Sequence, residues 1–360
     1  MTQVVKLYDV IRSAHLERFR DDVSTTILYV SHRYDFDPSL TIGLDLHKRG
    51  VLGVFWFALV NHIDVLEINE PLMVAAAPRT LAAILGTKLR SLVRRGKAAM
   101  VVTYAIENKN PAGLVSTLPI LSRVKWRFYF WLMPWVWRST HRIAFGTEGS
   151  HQLYTSIFAQ ESWPWSRVIS AVPAPHPAVP KTDVTRGPVV AFLGDLAPRK
   201  GFPLVADSWE TVAESVVGAQ LLVIGKGSGE AAARKLAAAH PNVELHIDPP
   251  RAQIMALLPR AKVLVLPSQP TVRWREQVGL PIVEGLSVGC EIVTTDETGL
   301  AEWLERHGHR VLVTPTPVSL FAEAVIAALR DDRGPAQILA TLPTVDGRRA
   351  AEDWLLAGLL

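Results

Sequence analysis

The chain has 360 residues, 49% hydrophobic and 20% charged, a globular composition with room for two domains of ordinary size that excludes a disordered or fibrous protein. Lysine and arginine exceed aspartate and glutamate by 38 − 34 = 4. So mild a basic excess suits phosphorylated ligands or an anionic membrane surface and is no mark of nucleic-acid binding; no nucleic-acid partner is expected.

In chain order, the opening MTQVVKLYDVIRSAH lacks a basic segment ahead of an apolar core, so no export signal is expected and the protein is placed in the cytoplasm. Strands are expected at residues 4–10, 26–31, 64–68, 99–104 and 142–146, with helix-like stretches at 40–62, 72–95 and 124–138. The most apolar run, VLGVFWFALV, is about half as long as a bilayer crossing requires and reads as a core helix. Two further stretches, 78–97 with Lys88, Arg90, Arg94, Arg95 and Lys97, and the aromatic 125–138 bounded by cations, point to peripheral contact with anionic lipid on the inner membrane face. Each also reads as an ordinary helix, one surface and one buried. The proline-rich VPAPHPAVPKTDVTRGP, residues 172–188, is a stiff connection in which neither helix nor central strand persists. It places a domain boundary between residues 175 and 176.

Beyond it, apolar strands alternate regularly with amphipathic helices: VVAFLG, AQLLVIG, VELHI, VLVLP and EIVTT are separated by helical segments ending with PIVEGLSV. This alternation predicts an α/β domain of Rossmann type, a parallel sheet covered on both faces, whose ligands sit beyond the carboxyl ends of the strands. The lone Cys290 lies inside the last of these runs, which rules out an internal disulfide and a cysteine-based zinc site and suits a reducing compartment. His307 and His309 have no acidic or cysteine partners at ligand spacing and read as solvated loop residues.

Three strand ends carry candidate chemistry. In REQVGLPIVEG, Pro281 opens a helix and the amides of Val278, Gly279 and Leu280 form an anion site at its positive end, a seat for a diphosphate. Glu276 lies ahead of that helix and Glu284 on it, each able to accept from sugar hydroxyls. Alone, the pair reads as a solvated loop residue and a charge complementing the helix dipole. The segment GDLAPRKG shifts the weight: Gly194 and Gly201 bracket a turn that brings Arg199 and Lys200 to the same sheet edge as cations for phosphate. GKGSG, with Gly225 and Gly227, is a flexible turn that suits a base or ribose, or a simple helix entry.

Together GDLAPRKG, VIGKGSG, VLVLPS, EQVGLPIVE and GLSVGCEIVTTDETGLAEWL resemble the retaining nucleotide-sugar glycosyltransferases of the GT-B fold, in particular glycosyltransferase family 4, over residues 189–330. The resemblance implies two Rossmann-like domains facing each other across a cleft, an acceptor domain over 1–175 and a donor domain over 176–344, with a helix at 345–360 crossing back. It implies that Glu276 contacts the donor sugar, Glu284 the ribose, and Arg199 with Lys200 the diphosphate, with no metal and no cofactor beyond the nucleoside diphosphate sugar as co-substrate. Asp195 stands where relatives commonly have arginine, and the first domain lacks the glycine-rich loop usual after its first strand. In that domain IDVLEINEP puts Asn69 where histidine is frequent, ahead of Glu70, on the acceptor side. VVTYAIENKNP puts Ala105 where a histidine often covers the sugar, with Glu107 and Asn108 following; these read equally as reacting-centre groups and as turn residues before Pro111.

The reading is therefore a hexosyltransferase acting on a sugar or glycolipid acceptor, a lipid-linked or cell-envelope glycan. A non-catalytic nucleotide-sugar binding protein and a GT-B epimerase remain as alternatives. A nicotinamide oxidoreductase is the weakest, because no G-x-G-x-x-G follows a first strand with an acidic residue about twenty positions on.

Overall fold

The apolar runs pair into two sheets in which every strand pairing among the described residues is parallel. The computed structural model describes residues 2–16, 24–33, 36–115, 118–177, 185–272 and 274–359. The chain divides into two compact units, the first made of Met1–Gly146, Ser150–Ile169 and Arg349–Leu360, the second of Thr147–Gly149 and Ser170–Arg348. Of the expected connection at 172–188, residues 178–184 lie outside the described ones, and Val172–Pro177 are neither helix nor strand.

In chain order the first unit runs β1 Gln3–Ile11, α1 Ser13–Leu16, β2 Ser24–His32, β3 Asp45–Lys48, α2 Val51–Val60, β4 Val65–Glu67, α3 Ala77–Arg94, β5 Met100–Ala105, α4 Ala112–Val115, α5 Ile120–Ser139, β6 Arg142–Phe145, α6 Glu148–Ile157 and β7 Trp165–Val168. Its sheet has the order β3-β2-β1-β4-β5-β6-β7. Side chains alternate across the sheet, so Val5, Leu7, Leu66 and Val101 pack under α2, α3 and α5. Val4, Val65, Val102 and Ala144 on the opposite face pack under the last helix, around Ala351, Leu355 and Leu356.

Two expectations fail here. Residues 40–62 are not one helix: a 3₁₀ turn over Pro38–Thr41, capped by the Asp37 carboxylate on the Ser39 N–H at 2.8 Å, leads into edge strand β3 before α2 begins. Gly43, with φ of +81°, and the extended Gly50 interrupt the helical path. Nor is α2 a core helix. Only Val54 and Ala58 are buried, while Leu52 and Trp56 are 83% and 63% exposed, because the sheet covers one stripe of a helix that is apolar all round.

The second unit continues with β8 Val189–Leu193, α7 Phe202–Ser215, β9 Gln220–Gly225, α8 Glu230–Ala239, β10 Val243–Ile247, α9 Arg251–Leu257, β11 Val263–Leu266, α10 Leu280–Ser287, β12 Glu291–Thr295, α11 Ala301–Arg306, β13 Arg310–Leu312, α12 Val318–Arg330 and α13 Pro335–Leu339, and α14 Gly347–Leu356 returns the chain to the first unit. The sheet order is β10-β9-β8-β11-β12-β13, and β11 and β12 are buried along their whole length, as strands covered on both faces must be. Strand order reverses between β8 and β11, so their carboxyl ends diverge into the crevice where such sheets hold ligands. His309 corrects another expectation: it is 6% exposed, its Nδ1 accepts the Ile292 N–H at 3.2 Å, and burial lowers its pKa to about 3.

Candidate functional site

The ends of β8 and β11 and the start of α10 meet in the second unit. An added Cβ on Gly194 would lie 3.9 Å from Pro281 in the first turn of α10 and 3.8 Å from Leu266 at the end of β11. Gly225 ends β9 so close to β8 that a Cβ there would stand 1.9 Å from the Gly194 carbonyl oxygen; the turn carrying Gly227 then runs past Asp195. Gly279 caps α10 with φ of +84°, which turns the Val278–Leu280 amides along the helix start. That loop is fixed from β12's side: the Gly299 N–H donates to the Glu276 carbonyl at 3.1 Å and the Thr298 hydroxyl to the Val278 carbonyl at 2.9 Å.

Within this frame Lys200 and Glu276 form an ion pair, both nearly buried. Ser268 at the end of β11 adds a hydroxyl donor to the same Glu276 oxygen at 3.2 Å. Trp274 lies against both cations, its ring centre 4.7 Å from the Arg199 guanidinium carbon and 4.9 Å from Lys200 Nζ. Arg199 also holds Asp195, Nη2 to Oδ2 at 2.6 Å. So Asp195, the departure from the common arginine, is the ion-pair partner of the next cation along. Glu284 is 8% exposed on α10 and takes Arg251 Nη1 at 2.6 Å; burial raises its pKa and Arg251 opposes the rise.

Each candidate cation thus sits on a carboxylate. Arg199 and Lys200 gather at Trp274, Glu276 pairs with Lys200, and Glu284 forms a second pair with Arg251. Sequence reasoning missed Trp274 and Arg251. The tryptophan two residues before Glu276 was a visible signal, whereas Arg251, on a separate helix start after Pro249 and Pro250, gave none.

The corresponding strand ends of the first unit hold a different arrangement. The Glu70 carboxylate accepts the N–H groups of Ile106 and Glu107 at 3.2 and 3.0 Å and the Tyr154 hydroxyl at 3.1 Å, which joins the loops after β4 and β5. Burial, with the charge of Glu107 second, raises its pKa to about 8. Asn108 is buried beside this clasp. Asn69 donates to Asp9 at 3.1 Å, and Asp9 accepts from the buried Arg79 at 3.2 Å. Tyr154, Asp9 and Arg79 come from elements far apart in sequence and escaped the sequence reading. Among the described residues no group of three or more His, Cys, Asp or Glu could hold a metal ion.

Two parallel sheets with helices on their faces, each with chemistry at the strand carboxyl ends, define a GT-B fold. Residues 187–331, in the second unit, match the family described as Glycosyl transferases group 1. Solved structures similar across nearly the whole chain include glycosyltransferases. WaaG, involved in lipopolysaccharide biosynthesis, is 15% identical with 99% of this chain and 100% of that one covered, at a TM-score of 0.60. HepE of Anabaena, solved with UDP, is 15% identical with 99% and 96% covered at a TM-score of 0.64. The lipopolysaccharide outer core galactosyltransferase WaaB is 14% identical with 94% of each chain covered at a TM-score of 0.61. No curated protein matches the chain.

Proposed function

We propose that the protein is a metal-independent, retaining hexosyltransferase of glycosyltransferase family 4 that moves a sugar from a nucleoside diphosphate sugar to a lipid-linked or cell-envelope glycan. The observation that carries this reading is the nearly buried Lys200–Glu276 pair under Trp274, next to the α10 N-terminus at the β8–β11 switch point. A bound diphosphate draws Lys200 and Arg199 off their carboxylates and is met by the Val278–Leu280 amides. Glu276, released from Lys200, then accepts from the donor sugar's hydroxyls, and Glu284 from the ribose. Chemically the barrier is the charge building on the departing diphosphate, and preorganised cations and amides stabilise it without rearranging solvent. That supply of positive charge is the physical support for a reaction without metal. In the first unit, Asn69, Glu70, Glu107 and Asn108 are assigned to the acceptor and the reacting centre.

HepE was solved with UDP-glucose, so uridine diphosphate sugars are the first donors to try. Purified protein is expected to release nucleoside diphosphate from one such donor in the presence of a glycolipid extract, with the anomeric configuration retained in the product by NMR coupling. Absence of release from a full panel of donors, with binding preserved, favours the second reading: a non-catalytic nucleotide-sugar binding protein. The Asp195–Arg199 pair is the observation behind that alternative, since it commits one of the two phosphate cations.

A further inference from the structure

In the first unit, α2, α3 and α5 lie side by side over one face of the sheet, Val54 and Ala58, Ala83 and Ile84, and Val136 reaching into one shared core. α2 and α3 cross closely enough that a Cβ on Gly86 would lie 2.6 Å from the Phe55 carbonyl oxygen. Arg90 bonds the Asn61 carbonyl at the end of α2, and Lys88 reaches Ser139 at the end of α5. The sides turned away from this core are apolar in register: Leu52, Trp56 and Val60 on α2, Leu85, Leu89 and Leu92 on α3, and Phe128, Trp131 and Trp135 on α5 are all exposed. On α5 the rings form a ladder, Phe128 to Trp131 at 6.1 Å and Trp131 to Trp135 at 6.4 Å between centres.

The charge carried by these helices has one sign, and Glu161 from outside them pairs with Arg138. Residues 46–63, 71–106 and 108–147 contain no aspartate or glutamate, while α3 and α5 with the two or three residues that follow α3 carry Lys88, Arg90, Arg94, Arg95, Lys97, Arg123, Lys125, Arg127 and Arg138. Monomeric proteins seldom expose so continuous an apolar area. A second copy of the chain would bring two cationic rims together, whereas an anionic bilayer accepts both features: rings and leucines enter the interface while long basic side chains reach the headgroups. Among the described residues no helix is long and apolar enough to cross a membrane.

We propose that the outward side of α2, α3 and α5 is a docking surface for an anionic lipid bilayer, on which the protein rests without spanning it. None of its residues is among those assigned to sugar transfer, and the proposal stands whether or not that assignment does. The test is co-sedimentation of the full chain with vesicles of phosphatidylcholine alone and of phosphatidylcholine mixed with phosphatidylglycerol, at low and high salt. Binding at least tenfold stronger to the anionic vesicles, weakened by salt, is expected. Leu52→Glu, Trp56→Glu and Trp131→Glu, made singly, should each lower it about tenfold, with melting temperature and its shift by UDP unchanged. The α2 variants are the sharper arm, because α2 carries no charge of its own and only this shared surface involves it. No vesicle binding, undiminished binding by all three variants, or a concentration-dependent dimer in sedimentation that Trp131→Glu dissociates would overturn the proposal.

Discussion

The strand ends of the two units differ in how they hold their acids. In the second unit three carboxylates, Asp195, Glu276 and Glu284, are each paired with a cation. In the first, Asp9 also has a cation, Arg79, but Glu70 is buried among two amides and a phenol, with no cation among those partners and a pKa near 8. Paired opposite charges are exchangeable for a polyanion, which takes the cations and frees the acids. An acid held by neutral donors in a low-dielectric setting offers a phosphate nothing and suits neutral hydroxyl-bearing ligands. The physical difference therefore supports assigning donor phosphates to one unit and the acceptor to the other.

The largest effect expected from breaking the paired side is Lys200→Ala. Turnover should fall on the order of a hundredfold or more, the usual loss for one preorganised donor. It should also destabilise the fold, because Glu276 is left nearly buried without its cation, a loss of about 3–5 kcal/mol for a broken buried pair. Lys200→Ala combined with Glu276→Gln separates the two: stability should return while turnover does not. Because Glu276→Gln by itself should leave nucleotide binding in place, donor affinity is the deciding measurement: affinity that returns in the double variant would mean that Lys200 serves Glu276 and not the phosphate. Glu276→Gln alone should cripple transfer and leave nucleotide binding in place, whereas Glu284→Gln should weaken nucleotide binding. In thermal melts, nucleoside diphosphate at a hundred times its Kd adds roughly 2.7 kcal/mol to the wild type, and a smaller shift reads out the Glu284 loss.

A smaller effect belongs to Trp274. Its ring lies 4.7 and 4.9 Å from the two cations, so removing it unpins both without removing either charge. Two contacts of about 0.5–1 kcal/mol each correspond to a roughly tenfold rise in donor KM for Trp274→Ala, with Trp274→Phe recovering most of it. A change in kcat alone would place the ring against the sugar instead.

How far the sequence led follows the same division. The second unit was readable because strands covered on both faces must be apolar throughout, so VVAFLG, AQLLVIG and VLVLP stand out between amphipathic helices. Glu276, Glu284, Arg199 and Lys200 were readable because they follow such strands at family spacing. Their partners were less so: Arg251 reaches Glu284 only through the packing of segments that follow different strands, which residue spacing does not encode, while Asp195 pairs with Arg199 four residues on in the same loop. The first unit was harder. In residues 40–62 an edge strand, the interrupting Gly43 and Gly50, and an apolar helix follow within one stretch, and short exposed strands such as β3 carry no apolar run. The apolar content of α2 indicated burial, whereas its exposed side follows from tertiary placement alone.

Glu70 gives the prediction that tests the neutral side of the comparison, read in stability and not in turnover. Its pKa is raised in the fold to about 8 from an ordinary carboxyl value near 4.5. The folded chain therefore binds more protons than the unfolded chain between those two pH values. The stability contributed by protonated Glu70 is complete below about pH 4.5, declines as pH rises, and is gone above about pH 8. Glu70→Gln keeps the side-chain shape and a carbonyl acceptor for the Ile106 and Glu107 amides but cannot ionise. Its melting temperature should match the wild type near pH 5 and exceed it near pH 8.5 by on the order of ten degrees, since a pKa raised from 4.5 to about 8 corresponds to roughly 5 kcal/mol and about 1 kcal/mol moves the midpoint by roughly 2–4 °C. Parallel pH profiles for the two proteins would show that Glu70 is ionised throughout, and the first unit would then hold a charged acid like those of the second. The contrast between the two sets of strand ends would lose its physical basis.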